Sequence, residues 1–280
     1  MTAHTLTTTP TRRPPGLYAD VRDRPHSLRG TARITAIAEA GATRLSDLHG
    51  DGPLDPRRLR PRGAQARVCV VGAMNAPHNG DHLRIEVTVG PGADLRVTSA
   101  TATVALPSPT PAPATLELFF SIAESARLHW LPKPLISAAG SDLHQETRID
   151  LAPTARLLLS EHQILGRAHE TTGRLTNRLT VQRCGRTLLD QRTAYGPGAP
   201  CWDGPAVLAD YRTIGQLLLI DPTIQHPSEA RLLDDDPARG HAVITPLPGP
   251  GRLLTAVAPD AAALRRHLYL GLENQTGESR

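Results

Sequence analysis

The chain has 280 residues, room for one large domain or two modest ones and for a core that needs no disulfide staples. Net charge is only +4, aromatics make up 3%, and the basic residues are spread along the chain, which argues against a nucleic-acid binder with its interleaved basic and aromatic side chains. Lys133 is the only lysine; the abundance of Arg, Ala, Pro and Gly reads as coding bias and accounts for much of the pI near 9.3.

Met1 to Arg29 is rich in Thr, Pro and Arg and reads as a flexible leader, with a single β-rich domain over residues 30–280. TARITAIAEA, from Thr31, is the first expected strand. Gly50 to Gly63 (GDGPLDPRRLRPRG) reads as a loop. Arg67 to Val71 is a short strand, and the turn GAMNAPHNGDHL follows. In Leu83, Ile85, Val87 and Val89 apolar residues take every second position, the period of a half-buried strand. Asp94 to Thr98 and Ala102 to Leu106 continue the pattern. Pro107 to Pro113 is a proline-rich break. Further strands are expected at Leu116 to Ile122, Arg127 to Leu131, Arg156 to Leu165, Leu175 to Arg183 and Arg186 to Arg192. Pro200 to Pro222 is ambiguous, with a short helix possible at Ala206 to Arg212. One helix signal stands out, capped by Asp260 and running through Leu270. No internal period of 20–50 residues is visible. Many short strands with Gly/Pro breaks make the expected class mainly β.

Known chemical motifs are missing. The sequence has no GxxxxGK[ST], no GxGxxG after a strand and no GxSxG. HETTG, His169 to Gly173, begins like a zincin motif but lacks the second histidine one helical turn on. His78 and His82 form the single HxxxH, across the Asn79-Gly80 turn. Cys69, Cys184 and Cys201 are widely spaced and form no CxxC, a usage that fits a reducing cytosol. No apolar run has bilayer length, and the first residues lack the apolar stretch of a secretory signal. The expectation is a cytoplasmic protein that binds neither membrane nor nucleic acid. Asp234 to Asp236 reads as a solvated loop.

Two carboxylates carry the functional question. Asp81 opens the alternating strand after Gly80; its side chain either stabilises the turn or is presented inward for function. Glu161 sits in the apolar run LLLSEHQIL, beside His162. It lies either on the wet face of a strand or in the interior, where a charge needs a partner or a task. His169 and Glu170 form a second such pair, after Gly166-Arg167. From the residues alone no nucleophile, base and orienting group can be assembled.

The order of segments resembles the UreD/UreH family of urease accessory proteins. GDHLRIEVTVGPGADLRVTSATATVAL (Gly80 to Leu106) is similar to the family's Gly-Asp strand, Gly-Ala turn and Thr-rich block. HWLPKPLI (His129 to Ile136) is similar to its Trp/Tyr-Leu-Pro block, and LSEHQILGRAHE (Leu159 to Glu170) to its Glu…Gly-Arg…Glu block. GPGAPCWDGPAVL and AAALRRHL follow in the expected order. The Thr-rich block departs from the pattern, since Ala100 follows Thr98-Ser99 and no Lys or Tyr comes after, and HETTG stands where many members read Gly-Glu. The resemblance implies an irregular β-helix-like scaffold with a few short helices. It implies a non-enzymatic role: binding the urease apoprotein and a UreF-like accessory protein that recruits a UreG-like GTPase, and helping to deliver nickel. No tightly bound cofactor is implied, only transient nickel. By position, Asp81 and Glu161 match acidic residues tied to the nickel route, with His162 and Glu170 as weaker candidates and Arg167 as a partner for a carboxylate. A metal-dependent hydrolase on a β-rich frame, or a β-rich interaction module without a metal role, are the alternatives.

Overall fold

The computed structural model describes residues 27–224, 229–236 and 238–276; most of the expected leader, residues 1–26, lies outside them. Two hairpins come first: β1 (Arg29–Glu39) with β2 (Ala42–Gly50), and β3 (Leu54–Arg62) with β4 (Gln65–Gly72). The chain then runs through β5 (His82–Val89), β6 (Asp94–Ser99), β7 (Thr103–Ala105), β8 (Ala114–Ile122) and β9 (Arg127–Leu131). Next are β10 (Leu135–Ser137), β11 (Asp142–Leu151), β12 (Arg156–Leu165) and β13 (Arg174–Arg183). β14 (Arg186–Tyr195) folds back on β13. β15 (Thr213–Ile220), β16 (Arg231–Asp236), β17 (Gly240–Pro246), β18 (Gly251–Ala258) and the helix α1 (Ala261–Thr276) complete the described chain.

Strands alternate between two sheets. The seven-stranded sheet has the order β14-β13-β11-β8-β5-β1-β2, the eleven-stranded one β16-β17-β18-β15-β12-β9-β6-β4-β3, with β10 beside β12 and β7 beside β10. β1, β5, β8, β11 and β13 pair in parallel, as do β4, β6, β9 and β12. The result is a β-solenoid-like coil of about four turns. Successive strands of the smaller sheet start at His82, Ala114, Asp142 and Arg174, so each coil takes roughly thirty residues. The structure repeats where the sequence does not, because a coil needs only inward apolar parity and a turn, not particular residues.

That parity places the core. Leu83, Ile85, Val87 and Val89 are all buried, as are Val68, Leu95, Val97 and Leu128 opposite them. Phe120 and Trp130 bring their ring centroids to 4.7 Å in this core, a tilted contact that adds to their burial. α1 lies on the outer face of the larger sheet, where Leu264 and Leu268 pack with Leu158, Leu217 and Leu254. Asp260 caps it, its Oδ1 accepting from the N–H groups of Ala262 and Ala263 at 2.8 Å. Gly215 leaves room for this docking: a Cβ there would stand 2.9 Å from Leu264 Cδ1 and from Leu268 Cδ1.

Several expectations need correction. The proline- and arginine-rich Gly50 to Gly63 segment contains a strand, β3, not a loop throughout. An edge strand tolerates Pro56 and Pro61 because one side needs no ladder donors. The acidic run Asp234 to Asp236 belongs to β16, paired with β17. Ala206 to Arg212 forms turns and coil rather than a helix, and among the described residues α1 is the one α-helix, where a few were expected. β2, β10, β11, β15, β17 and β18 also lie outside the expected strands.

Candidate functional site

Prolines open a window in the larger sheet. β9 pairs with β12 over Arg156 to Leu159, and β10 pairs with it over Gln163 to Leu165. Between β9 and β10 run Pro132, Lys133 and Pro134; a proline has no N–H to give a ladder. Ser160, Glu161 and His162 therefore have no register partner on that side. Behind the window lies a cavity of about 240 Å³, walled by apolar side chains including Leu83, Val97, Leu118 and Trp130, with Gln145, Glu161 and Gln163 in its wall. Met74, 46% exposed, and Lys133, Ser99 and Thr101 also line it, toward solvent. A void of about 10 Å³, bounded by Asn177, Thr193, Tyr195 and Gln216, lies on the other side of Glu161 and Gln163.

Glu161 belongs to a polar layer that crosses the interior. On β11, Gln145 and Thr147 interrupt the inward row from Leu143 to Leu151. On β12, Glu161 and Gln163 interrupt the row from Leu157 to Leu165. Asn177 does the same on β13 and Gln216 on β15. Leu143, Leu165, Leu175 and Ile214 form one apolar cluster on one side of this layer; Ile149, Leu159, Leu179 and Leu218 join another on the opposite side. Gln216 Nε2 donates to Gln191 Oε1 at 2.9 Å, tying the two sheets at β14 and β15.

Glu161 is 6% exposed. Its Oε1 accepts from Gln145 Nε2 at 3.0 Å and Thr147 Oγ1 at 3.2 Å, its Oε2 from Asn177 Nδ2 at 2.9 Å. All three donors are neutral. Burial raises its pKa above the usual carboxylate range, and the three hydrogen bonds oppose that rise. No cationic side chain among the described residues pairs with it. Asn177 Oδ1 is buried without a hydrogen-bond partner. Two kinds of oxygen donor thus stand here without a cation: the Glu161 carboxylate and, on the side chain that donates to it, the orphaned Asn177 Oδ1. Such hard donors hold a divalent ion loosely, whereas thiolate and imidazole sets bind nickel or zinc tightly.

Of the other predicted residues, His162 borders the cavity and Asp81, Arg167 and Glu170 do not. Asp81 is buried at the entrance to β5, where its Oδ1 accepts from Leu28 N–H and its Oδ2 from His78 N–H, both at 2.8 Å. Its carboxylate ties the start of the fold to the turn holding the cis Ala76-Pro77 bond, and it lines neither the cavity nor the void. His162, adjacent to Glu161, also borders the cavity, and its Nε2 lies 2.8 Å from Ser160 Oγ. Burial first, then Arg265 and Lys133, lower its pKa to about 4. Glu170 and Arg167 clamp the loop after β12: Glu170 Oε1 accepts from Arg167 N–H at 2.8 Å and Nε at 2.9 Å, and its pKa falls to about 2. Arg212 completes that loop by donating to the carbonyls of Leu165 and Glu170. His169 is exposed in the same loop, not on a helix, so HETTG forms no zincin site. Among the described residues no three His, Cys, Asp or Glu side chains converge to hold a metal. The polar layer itself went unread in the sequence; its signal was a polar residue at inward parity on four strands.

The fold and this interior define a β-solenoid-like protein whose coil is crossed by a buried, cation-deficient polar layer next to a solvent-connected cavity. Residues 28–273 match the family model described as "UreD urease accessory protein". The chain is 56% identical over 245 residues to Urease accessory protein UreD 3 of Streptomyces griseus, covering 85% of this chain and 93% of that one. It is 50% identical over 239 residues to Urease accessory protein UreD 2 of Saccharopolyspora erythraea, at 85% and 84% coverage, and 35% identical over 277 residues to UreD of a Parafrankia species, at 91% of both. The chain belongs to the UreD family of urease accessory proteins, which implies a role in urease maturation.

Proposed function

We propose that this chain is a non-catalytic scaffold that binds the urease apoprotein and a UreF-like accessory protein, which brings a UreG-like GTPase, and that nickel passes through its interior on the way to urease. The observation that carries this reading is Glu161: a buried carboxylate with three neutral donors, an orphaned amide oxygen nearby, and cavities on both sides. A resident structural acid would be expected to have a counter-cation. Here the counter-charge is either a proton or a passing ion, and the ion is cargo rather than a cofactor. Oxygen donors suit cargo because they release it. Asp81, with both carboxylate oxygens engaged by backbone N–H groups, shapes the turn at the head of the coil rather than contacting the ion. The setting is the cytoplasm; no helix among the described residues is long and apolar enough to cross a membrane.

The test is co-expression of the chain with and without a UreF-like protein, a UreG-like GTPase and the urease subunits, followed by pull-down and a urease assay. Co-purification is expected, with urease activity that depends on this chain and falls in Glu161→Gln while the complex still assembles. A chain that ignores those partners, retains stoichiometric metal through chelator treatment and turns over substrate alone would replace this reading with the hydrolase.

A further inference from the structure

A row of basic side chains crosses the outer face of the larger sheet. Arg67 on β4 stands directly opposite Arg96 on β6, and Arg96 directly opposite His129 on β9. Like charges facing each other on neighbouring strands destabilise a sheet. Burial first, then the charges of Arg67 and of Arg62 at the end of β3, lower the Arg96 pKa. Arg96 is half-buried, and its Nε is buried without a hydrogen-bond partner. Carboxylates on the same strands are committed elsewhere. Asp94 sits with Arg127 at 3.6 Å and accepts from Gln65 Nε2 at 2.8 Å, and Asp55 pairs with Arg57. Across from this row stands Tyr269 of α1, 61% exposed and close enough to act on Arg96. The positive field extends past β9, where Arg265 of α1 and Lys133 both bear on His162.

In a chain of net charge +4 these cations are concentrated on one face. The sheet carries their mutual repulsion unless an anion from outside relieves it. A guanidinium fork matches a carboxylate in shape as well as charge. Nucleic acid fits less well, because a strand-tracking groove also needs several aromatic platforms, and Tyr269 is the one exposed aromatic ring among the described residues. We propose that this face is the docking surface for an acidic segment of a partner protein, whose carboxylates sit on Arg62, Arg67 and Arg96 and whose apolar side chain packs on Tyr269. The proposal does not depend on ion transit through the interior, since β6 sends Arg96 outward while Val97 faces the cavity.

The experiment uses the full chain and a fluorescent peptide of sequence ELEELEEL, read by anisotropy, with KLKKLKKL as control. Binding of the acidic peptide is expected, weakening as salt rises, with affinity about tenfold lower in the R67E/R96E double variant, equivalent to about 1.4 kcal/mol. The reversed variant is expected to take the lysine peptide instead. Arg96→Gln, which relieves the cross-strand repulsion without reversing it, gives an intermediate loss and keeps the test valid if the double variant does not fold. No binding, or binding unchanged in these variants, overturns the proposal. So does displacement of the peptide by inorganic phosphate or a short DNA duplex at equal charge concentration, which would assign the face to a different anion.

Discussion

Replacing Glu161 separates its fold role from its ion role. Glu161→Ala leaves Gln145 Nε2, Thr147 Oγ1 and Asn177 Nδ2 without their acceptor. An unmet buried donor costs about 1–3 kcal/mol, and water from the adjoining cavity offsets part of the sum, so the net loss is about 2–4 kcal/mol. Glu161→Gln behaves differently. One oxygen still accepts from Gln145 and Thr147, and the new amide N–H can donate to Asn177 once that amide turns its free Oδ1 inward. Its cost is therefore below about 1 kcal/mol. The carboxyl is held above its unfolded pKa, so its stabilising contribution is full below the unfolded value and is lost as pH rises through the folded one. Wild type should lose stability over that rise, and Glu161→Gln should not. Denaturant titrations from pH 5 to 9 measure both effects, and urease activation is followed in parallel. Activation should drop at least about tenfold in the glutamine variant, the scale on which metal sites respond to altered ligands. A glutamine variant as unstable as the alanine one, or one with the same pH slope as wild type and full activation, would refute the reasoning.

Three other outcomes follow from the geometry. Ala102→Trp, in the wall of the cavity, should block the window and cut urease activation while pull-down of partners is unchanged. The imidazole of His162 should stay neutral at pH 5.5 and titrate near 4 by NMR; because its folded pKa is below 6.5, its contribution to stability is present above 6.5 and is lost as pH falls toward 4. Gly215→Ala forces Leu264 and Leu268 away from β15 and should cost about 1–3 kcal/mol, seen as a lower melting temperature with loss of helical signal before strand signal.

Much of the coil was readable from alternation. Leu83 to Val89, the β12 run and the Asp260-capped helix all appear where the sequence places them, because their burial period is local information. β3 was hidden by its prolines, which signal a loop unless the strand is known to be an edge. β15 (TIGQLLLI) is buried on both faces, between the core and α1, so it shows no alternation to read. Glu161 stood out in the sequence, but its setting did not. Gln145, Asn177 and Gln216 are far from it in the chain, and only the stacking of coils brings them to one level. The window likewise needs two facts the sequence keeps apart: prolines between β9 and β10, and the carboxylate on β12 that they leave uncovered.

The larger sheet ends on β3, where Pro56 and Pro61 withhold donors and Arg57, Arg58, Arg60 and Arg62 are exposed. A stack of parallel strands is otherwise an open template: each rung presents the hydrogen bonds that the next rung of another chain could meet. Uncapped coils would add end to end and grow into fibres. The missing donors and the exposed guanidiniums oppose that growth at this edge, so backbone pairing with another chain is disfavoured there while the guanidiniums stay open to side-chain contacts.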